Sequence, residues 1–358
     1  MSSFLEIEDG NEGKTQLDSQ TTVRPARIRM KWLLLSVYCT LTALGNIGGP
    51  MFQRLYYLHG GNSKWLSSWL QSAGFLFLLP PLSLFYFRSL FYQKTSMVFF
   101  DMIESKLLVC AAALGIMIGL DNYMYSAGLS SLPVSTSALL FSTQLSFTAL
   151  FAFVIVKQKF TFYSINAVVA MTLGAIVLAL HTSGDRPPGV SQGKYLVGFF
   201  LTLGGAALLG LILPLLELTY SKSENPMTYV TLLQFQFVVN FFATIVCTVG
   251  MLINKDFETI PKESRNFKIG KVKYYEILVV SAIFWQIASL GIIGVIHCAS
   301  SLFAGIFTSV LLPFTELAAV LAYNEKFTGE KGMTLAMCLW GFTSYFIGEH
   351  KKSRTSTT

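Results

Sequence analysis

Long apolar runs separated by short polar segments fill most of the chain. A helix needs about 20 mostly apolar residues to cross the hydrocarbon core of a bilayer. Ten segments approach that length, at 32–53, 65–87, 107–129, 133–156, 161–181, 195–220, 227–253, 274–297, 300–323 and 332–348. The stretch from Pro133 to Ala179 sets two of them around a basic turn at Lys157 and Lys159, and a similar arrangement begins near Ser300. Laying Lys159-Phe160-Thr161 on Lys326-Phe327-Thr328, 167 positions on, also pairs Ser142 with Ser309, Leu145 with Leu312, Phe147-Thr148 with Phe314-Thr315, Ala152 with Ala319 and Gly174 with Gly341. A fainter echo pairs Pro50, Gln53 and Tyr56 with Pro214, Glu217 and Tyr220, 164 positions apart. Five spans in each half is an odd number, so the second half must enter the membrane from the opposite side. The expected architecture is therefore an all-α integral membrane protein of ten transmembrane helices in two inverted five-helix repeats. Its parts are a disordered polar tail (1–31), a first repeat (32–181), a linker (182–194), a second repeat (195–348) and a short C-terminal tail (349–358).

Composition agrees with that reading. Of 358 residues 53% are hydrophobic and only 13% are charged, against roughly 25% charged in soluble proteins. The net charge of +7 therefore points to membrane orientation and lipid headgroups and away from nucleic acid. Arg24, Arg27, Arg29 and Lys31 precede the first run, and Lys351, Lys352 and Arg354 follow the last. The positive-inside rule puts both termini in the cytoplasm. The segment 254–273 opposes it, with Lys255, Lys262, Arg265, Lys268, Lys271 and Lys273 on the expected outer side. Cys39, Cys110, Cys247, Cys298 and Cys338 lie in apolar runs without metal spacing and read as small buried hydrophobes. His297 and the scattered methionines give no ligand set, so neither a metal nor a cofactor is expected. No cleavable signal peptide is expected, since the first run passes into GNIGGP without a cleavage pattern.

Within the spans as drawn there is no Lys or Arg; Arg54 and Lys157 stand at their edges. A carrier of dianions normally holds them with a cation, so the expected cargo is neutral or weakly cationic. Sugar-phosphate-type cargo such as a nucleotide-sugar is disfavoured, and amino acids remain an alternative. The spans do hold amides: Asn122, Gln144, Gln234, Gln236, Asn240 and Gln286, the last beside Trp285. An amide offers a donor and an acceptor, which suits the edge of a planar heterocycle, while an aromatic ring covers its face. The plainer reading is that such amides bridge helices. Asn122, Gln144, Gln236, Asn240, Trp285 and Gln286 are the candidate substrate contacts. Asp121, Glu217 and Glu316 are the embedded carboxylates, and a carboxylate in a low-dielectric setting can couple transport to protons. Glu217, near its span end, also fits an interfacial role, and Glu316 also fits a helix bridge. No paired catalytic His, facing Asp pair or serine nucleophile motif supports an intramembrane enzyme.

The run GNIGGPMFQRLYYLHGGNSKWLSSWLQSAGF resembles the opening signature of the plant purine permease family. So do LPVSTSALLFSTQLSF, QKFT, ELTY and the late SSLF, LP, EKF and WGF series, over nearly all the spans. The resemblance implies a carrier of the drug/metabolite transporter superfamily with ten helices in two inverted halves. It further implies proton-coupled import of adenine, cytokinins and related planar nitrogen heterocycles, in most members across the plasma membrane. Gln144 and Trp285-Gln286 are the nearest motif matches. Where the family often has an acidic pair before the third-span tyrosine, this chain has Asp121-Asn122 and a single charge.

Overall fold

The computed structural model describes residues 6–80, 82–84, 105–155, 162–180, 189–223, 228–299 and 301–355, with the side chains before Met30 left outside. The expected turn at Lys157 and Lys159, the end of the second apolar run, the His297 side chain and most of the linker at 182–194 lie outside the described residues.

Among the described residues every regular element is helical. They are α1 (Glu6–Leu58), α2 (Lys64–Ala73) running into a 3-10 turn (Gly74–Leu78), α3 (Ser105–Ser131), α4 (Val134–Ser142), α5 (Gln144–Ile155) and α6 (Phe162–Leu180). The second half holds α7 (Gln192–Ser221), α8 (Tyr229–Ile253), α9 (Asp256–Asn266), α10 (Lys271–Cys298), α11 (Ser301–Tyr323) and α12 (Gly329–Thr355). Helix α1 begins inside the tail expected to be disordered. Among the described residues six helical stretches are long and apolar enough to cross a membrane, at Trp32–Leu58, Ser105–Ser131, Val134–Ile155 (α4 with α5), Gln192–Ser221, Val230–Ile253 and Lys271–Ile296. Shorter apolar stretches lie at Ile165–Gly174 and Val310–Tyr323.

Two runs expected as continuous helices are interrupted. The run 133–156 breaks at Thr143, where the Ser142 and Thr143 hydroxyls donate to the Leu139 and Leu140 carbonyls and compete with the helical ladder. The run starting at 65 leaves α-geometry at Gly74 and tightens into the 3-10 turn. The charged segment after α8 is not a loop. Lys255 turns the chain through the left-handed region (φ 58°) into α9, and Gly270 (φ 98°) turns it into α10. A side chain other than glycine is strained at Gly270.

Helix neighbours follow a regular scheme. Helix α1 packs on α10 and α7 packs on α3; α2 meets α10 and α8 meets α3; α11 meets α1 and α5 meets α7. The pairs α2–α8, α4–α11 and α6–α12 also touch. Exchanging α1 with α7, α2 with α8, α3 with α10, α4–α5 with α11 and α6 with α12 returns these nine pairs, whereas among the described residues the lesser contacts α1–α3, α1–α4 and α4–α12 lack a comparable counterpart.

Small residues make the closest of these contacts possible, as in many membrane bundles. A methyl built on Gly45 would sit 2.4 Å from the Ala288 backbone nitrogen, and one on Gly294 2.2 Å from the Tyr38 ring. On the other long pair, a methyl on Gly128 would sit 2.0 Å from the Thr202 hydroxyl. The α1–α10 interface thus has no room for another carbon at Gly45. Overpacking a tight interface costs about 1–3 kcal/mol, so Gly45→Val is expected to lower the melting temperature of the detergent-purified protein clearly. Gly193→Ala, where an added methyl meets nothing within 4 Å, is expected to leave it level or slightly higher.

Candidate substrate site

Buried polar side chains of α3, α8 and α10 lie in mid-bundle, against glycines of α1, the 3-10 turn and α7 and a ring of α4. On α3, Asp121 (6% exposed) and Asn122 (8%) are both buried. The Asp121 Oδ1 atom is buried without a hydrogen-bond partner. A methyl on Gly205 of α7 would meet that oxygen at 3.3 Å and the Phe141 ring of α4 at 3.5 Å. A side chain at Gly205 would crowd the carboxylate oxygen while meeting the ring at an ordinary contact distance. Asn122 offers its backbone carbonyl to Gln71 Nε2 at 3.2 Å.

Helix α10 supplies the facing wall. Gln286 is 3% exposed, and neither atom of its amide has a hydrogen-bond partner. It packs against Gly74, where a methyl would meet its Cβ and Oε1 at 2.9 Å. The 3-10 turn therefore brings backbone, not side chain, against this amide. One residue earlier, the Trp285 ring lies over Gly49 of α1, and its Nε1 is also unpartnered. On α8, Gln236 donates to Ser289 Oγ at 2.9 Å and to Asn240 Oδ1 at 3.4 Å, which leaves Asn240 Nδ2 buried and unpartnered.

Buried polar groups without partners are costly in low dielectric. Here Asp121, Asn240, Trp285 and Gln286 all carry such atoms. Together they offer an acceptor, two donors and an amide that can do both.

The remaining expected site residues fall in other settings. Gln144 opens α5 and is half-buried, and its carbonyl lies 3.1 Å from a methyl built on Gly210 of α7. Of the three carboxylates, only Asp121 stands in the polar layer just described. Glu217 is exposed. Glu316 is fully buried on α11 and interacts electrostatically with Cys338 of α12, whose Sγ lies 2.8 Å from Ser142 Oγ.

The expectation that cations stay at the edges of the spans needs correction. Arg54 is 5% exposed inside α1, and Lys331 is fully buried in the first turn of α12. The helices run past the apolar stretches, so residues counted as edges are enclosed. Both cations meet carbonyl oxygens, Arg54 Nη1 that of Leu129 at 2.8 Å and Lys331 Nζ that of Lys326 at 3.1 Å. Lys331 also donates to Ser135 Oγ at 2.7 Å.

These two cations belong to a polar closure at the end of the bundle where α1, α3, α8 and α11 finish. There the Glu325 carboxylate accepts from the backbone N–H of Val134 and Ser135 and from the Ser135 hydroxyl, capping α4. The Tyr323 hydroxyl donates to the Met51 carbonyl, tying α11 to α1. Glu263 of α9 accepts from Tyr56 OH at 2.7 Å, Ser63 Oγ at 2.9 Å, Asn62 N at 3.0 Å and Tyr274 OH at 3.1 Å. Beside it, burial pushes the Asp256 carboxyl above its ordinary range, against hydrogen bonds from Asn254 and the Leu66 backbone. The sequence marked Arg54 as a span-edge cation and Tyr56 as part of a repeat, but it did not mark this closure. Glu263 and Glu325 sit in charged connecting segments, where a solvated role is the default.

Apolar helices of spanning length around an enclosed polar layer define the class, a multi-pass helical membrane protein. The chain belongs to the purine permease family: a family model described as purine nucleobase transmembrane transport matches residues 33–355. It is 46% identical over 319 residues to Purine permease 3 of Arabidopsis thaliana, covering 89% of this chain and 91% of that protein. It is likewise 46% identical over 336 residues to Purine permease 2 of the same plant, covering 90% and 94%. Probable purine permease 11 is 34% identical over 319 residues, covering 89% and 83%. A protein of known crystal structure superposes with a TM-score of 0.53 at 13% identity, covering 87% of this chain and 98% of that one, which shows a shared fold alone.

The Glu263 clasp yields a direct stability test. Removing its carboxylate strands several donors, each costing about 1–3 kcal/mol when buried and unpaired. Glu263→Ala is expected to lower the melting temperature in detergent. Pairing it with Tyr56→Phe is expected to cost less than the two single losses combined, because one stranded hydroxyl disappears.

Proposed function

We propose that this protein is a secondary active transporter that imports purine bases, cytokinins or related planar nitrogen heterocycles with protons, by alternating access. The reading rests on one observation: Asp121, Asn240, Trp285 and Gln286 carry buried, unpartnered polar atoms in mid-bundle, in a chain of the purine permease family. A planar base carries ring nitrogens and exocyclic groups along its edge, the chemistry those atoms would satisfy. The buried cations, Arg54 and Lys331, make their hydrogen bonds at the closed end, which speaks against a pocket built to hold a dianion.

We read the fold as ten spans in two inverted repeats. The neighbour exchange of α1–α6 with α7–α12 supports this, since inverted repeats place the substrate where the halves meet. The Glu325 and Glu263 clasps support alternating access by giving one gate in its closed form. Basic residues flanking the first and last spans support cytoplasmic termini, which puts this gate outside. In a plasma-membrane importer that corresponds to an inward-facing state. Asp121 is the coupling residue of choice, being the carboxylate in the polar layer.

Radiolabelled adenine uptake in transport-deficient yeast, with and without a protonophore, tests the reading. Accumulation that the protonophore abolishes is expected. No accumulation would remove the purine reading, and accumulation indifferent to the protonophore would remove the coupling. Gln286→Ala is expected to raise the uptake KM about 3- to 10-fold, the value of one or two lost hydrogen bonds, with normal amounts of protein at the membrane. Asp121→Asn is expected to flatten the rise of uptake with external acidity, read as initial rate against pH. An unaltered profile would move coupling to another carboxylate.

A further inference from the structure

We propose that Tyr125 is a further binding residue of the substrate site, forming the aromatic wall against which a planar heteroaromatic base rests. The inference rests on the purine reading above and adds a residue that reading does not include.

Tyr125 follows Asp121 by one helical turn on α3, so the two share a face. Its ring meets Phe141 of α4 edge-on, centroids 4.9 Å apart at 79°, and Trp285 of α10 at 5.9 Å and 86°. Two near-perpendicular contacts from separate helices fix the ring plane. The wall is continuous: Asp121 and Phe141 converge on Gly205, Phe141 touches Tyr125, Tyr125 touches Trp285, and Trp285 covers Gly49. Acceptor and donor atoms without partners, Asp121 Oδ1 and Trp285 Nε1, stand at the two ends of this wall.

Tyr125 differs from the tyrosines that hold the fold together. Tyr56 and Tyr274 are fully buried with paired hydroxyls. Tyr125 is half-buried, and its hydroxyl has no hydrogen-bond partner among the described residues. It also packs against the cluster of Leu129, Val134 and Ala319, with Met51, Tyr57 and Tyr323 of the closed end. It therefore stands between the polar layer and the closed gate, where a bound base needs a face rather than an edge. Stacking of a base on an aromatic side chain tolerates many ring substituents, because every base has a π-face.

The test uses the purified full-length chain in proteoliposomes, with adenine as the probe and an imposed proton gradient. Tyr125→Leu keeps apolar bulk and removes the ring. It is expected to raise the adenine KM roughly 10-fold, within the range found on deleting base–aromatic stacking partners, with maximal rate within about 2-fold. Tyr125→Trp and Tyr125→Phe, which keep a π-face, are expected to recover most of that loss. A purely structural role would instead lower the yield of folded protein or the maximal rate in all variants that change shape. A folded Tyr125→Leu protein whose KM matches that of wild type overturns the proposal while the purine reading stands. A wild-type protein that takes up no adenine overturns both.

Discussion

Hydrocarbon offers no water to a polar group, and the rest of this structure follows from that constraint. Backbone groups are satisfied inside helices, and polar side chains turn inward to find partners. Most succeed: Gln53 donates to Ser67 and Ser126, Gln71 to Ser126, and Asn166 to Ser344. Pairing stops short at several buried atoms, among them Gln53 Oε1 and the Tyr57 and Ser137 hydroxyls, and four residues of the mid-bundle layer, Asp121, Asn240, Trp285 and Gln286, carry such atoms together. Glycine is what allows it to assemble. Gly49, Gly74 and Gly205 let α1, the 3-10 turn and α7 come within contact of Trp285, Gln286 and Asp121.

The closed end obeys the same constraint with charge. Glu325 and Glu263 are each surrounded by donors, Lys331 meets two oxygen acceptors, and Arg54 meets the Leu129 carbonyl. A clasp built this way is firm, since breaking it strands charge. In the alignment of the two halves Glu325 corresponds to Gln158, an amide. On the proposed two-repeat reading the halves would share a scaffold but not a latch, and an uneven pair of latches would bias a two-state carrier toward one of its forms.

Much of the fold was legible in the sequence because apolar run length translates directly into helix length. The run 195–220 became α7 (Gln192–Ser221) and 274–297 became α10 (Lys271–Cys298). The interruptions at Thr143 and Gly74 were hidden, since hydroxyls and a glycine inside an apolar run do not alter its hydropathy. Helix α9 was hidden for the opposite reason: its composition is that of a solvated loop, and its buried Glu263 is visible only once Tyr56 and Tyr274 are beside it. Gln286 and Trp285 were legible as polar or amphipathic residues at mid-span, and the structure adds that their polar atoms are buried without partners. Tyr125 was missed although its spacing from Asp121 was available, because an aromatic residue in a membrane helix carries no signal until its neighbours are known.

The central claim is that the unpartnered atoms of α3, α8 and α10 form the place where a planar base binds. The most direct measurement is an experimental structure of the protein with adenine bound. The account predicts the ring in mid-bundle beside Trp285, with its edge within hydrogen-bonding distance, about 3 Å, of Gln286 or Asp121. Adenine seated elsewhere, with the Gln286 amide and Asp121 untouched, would contradict it.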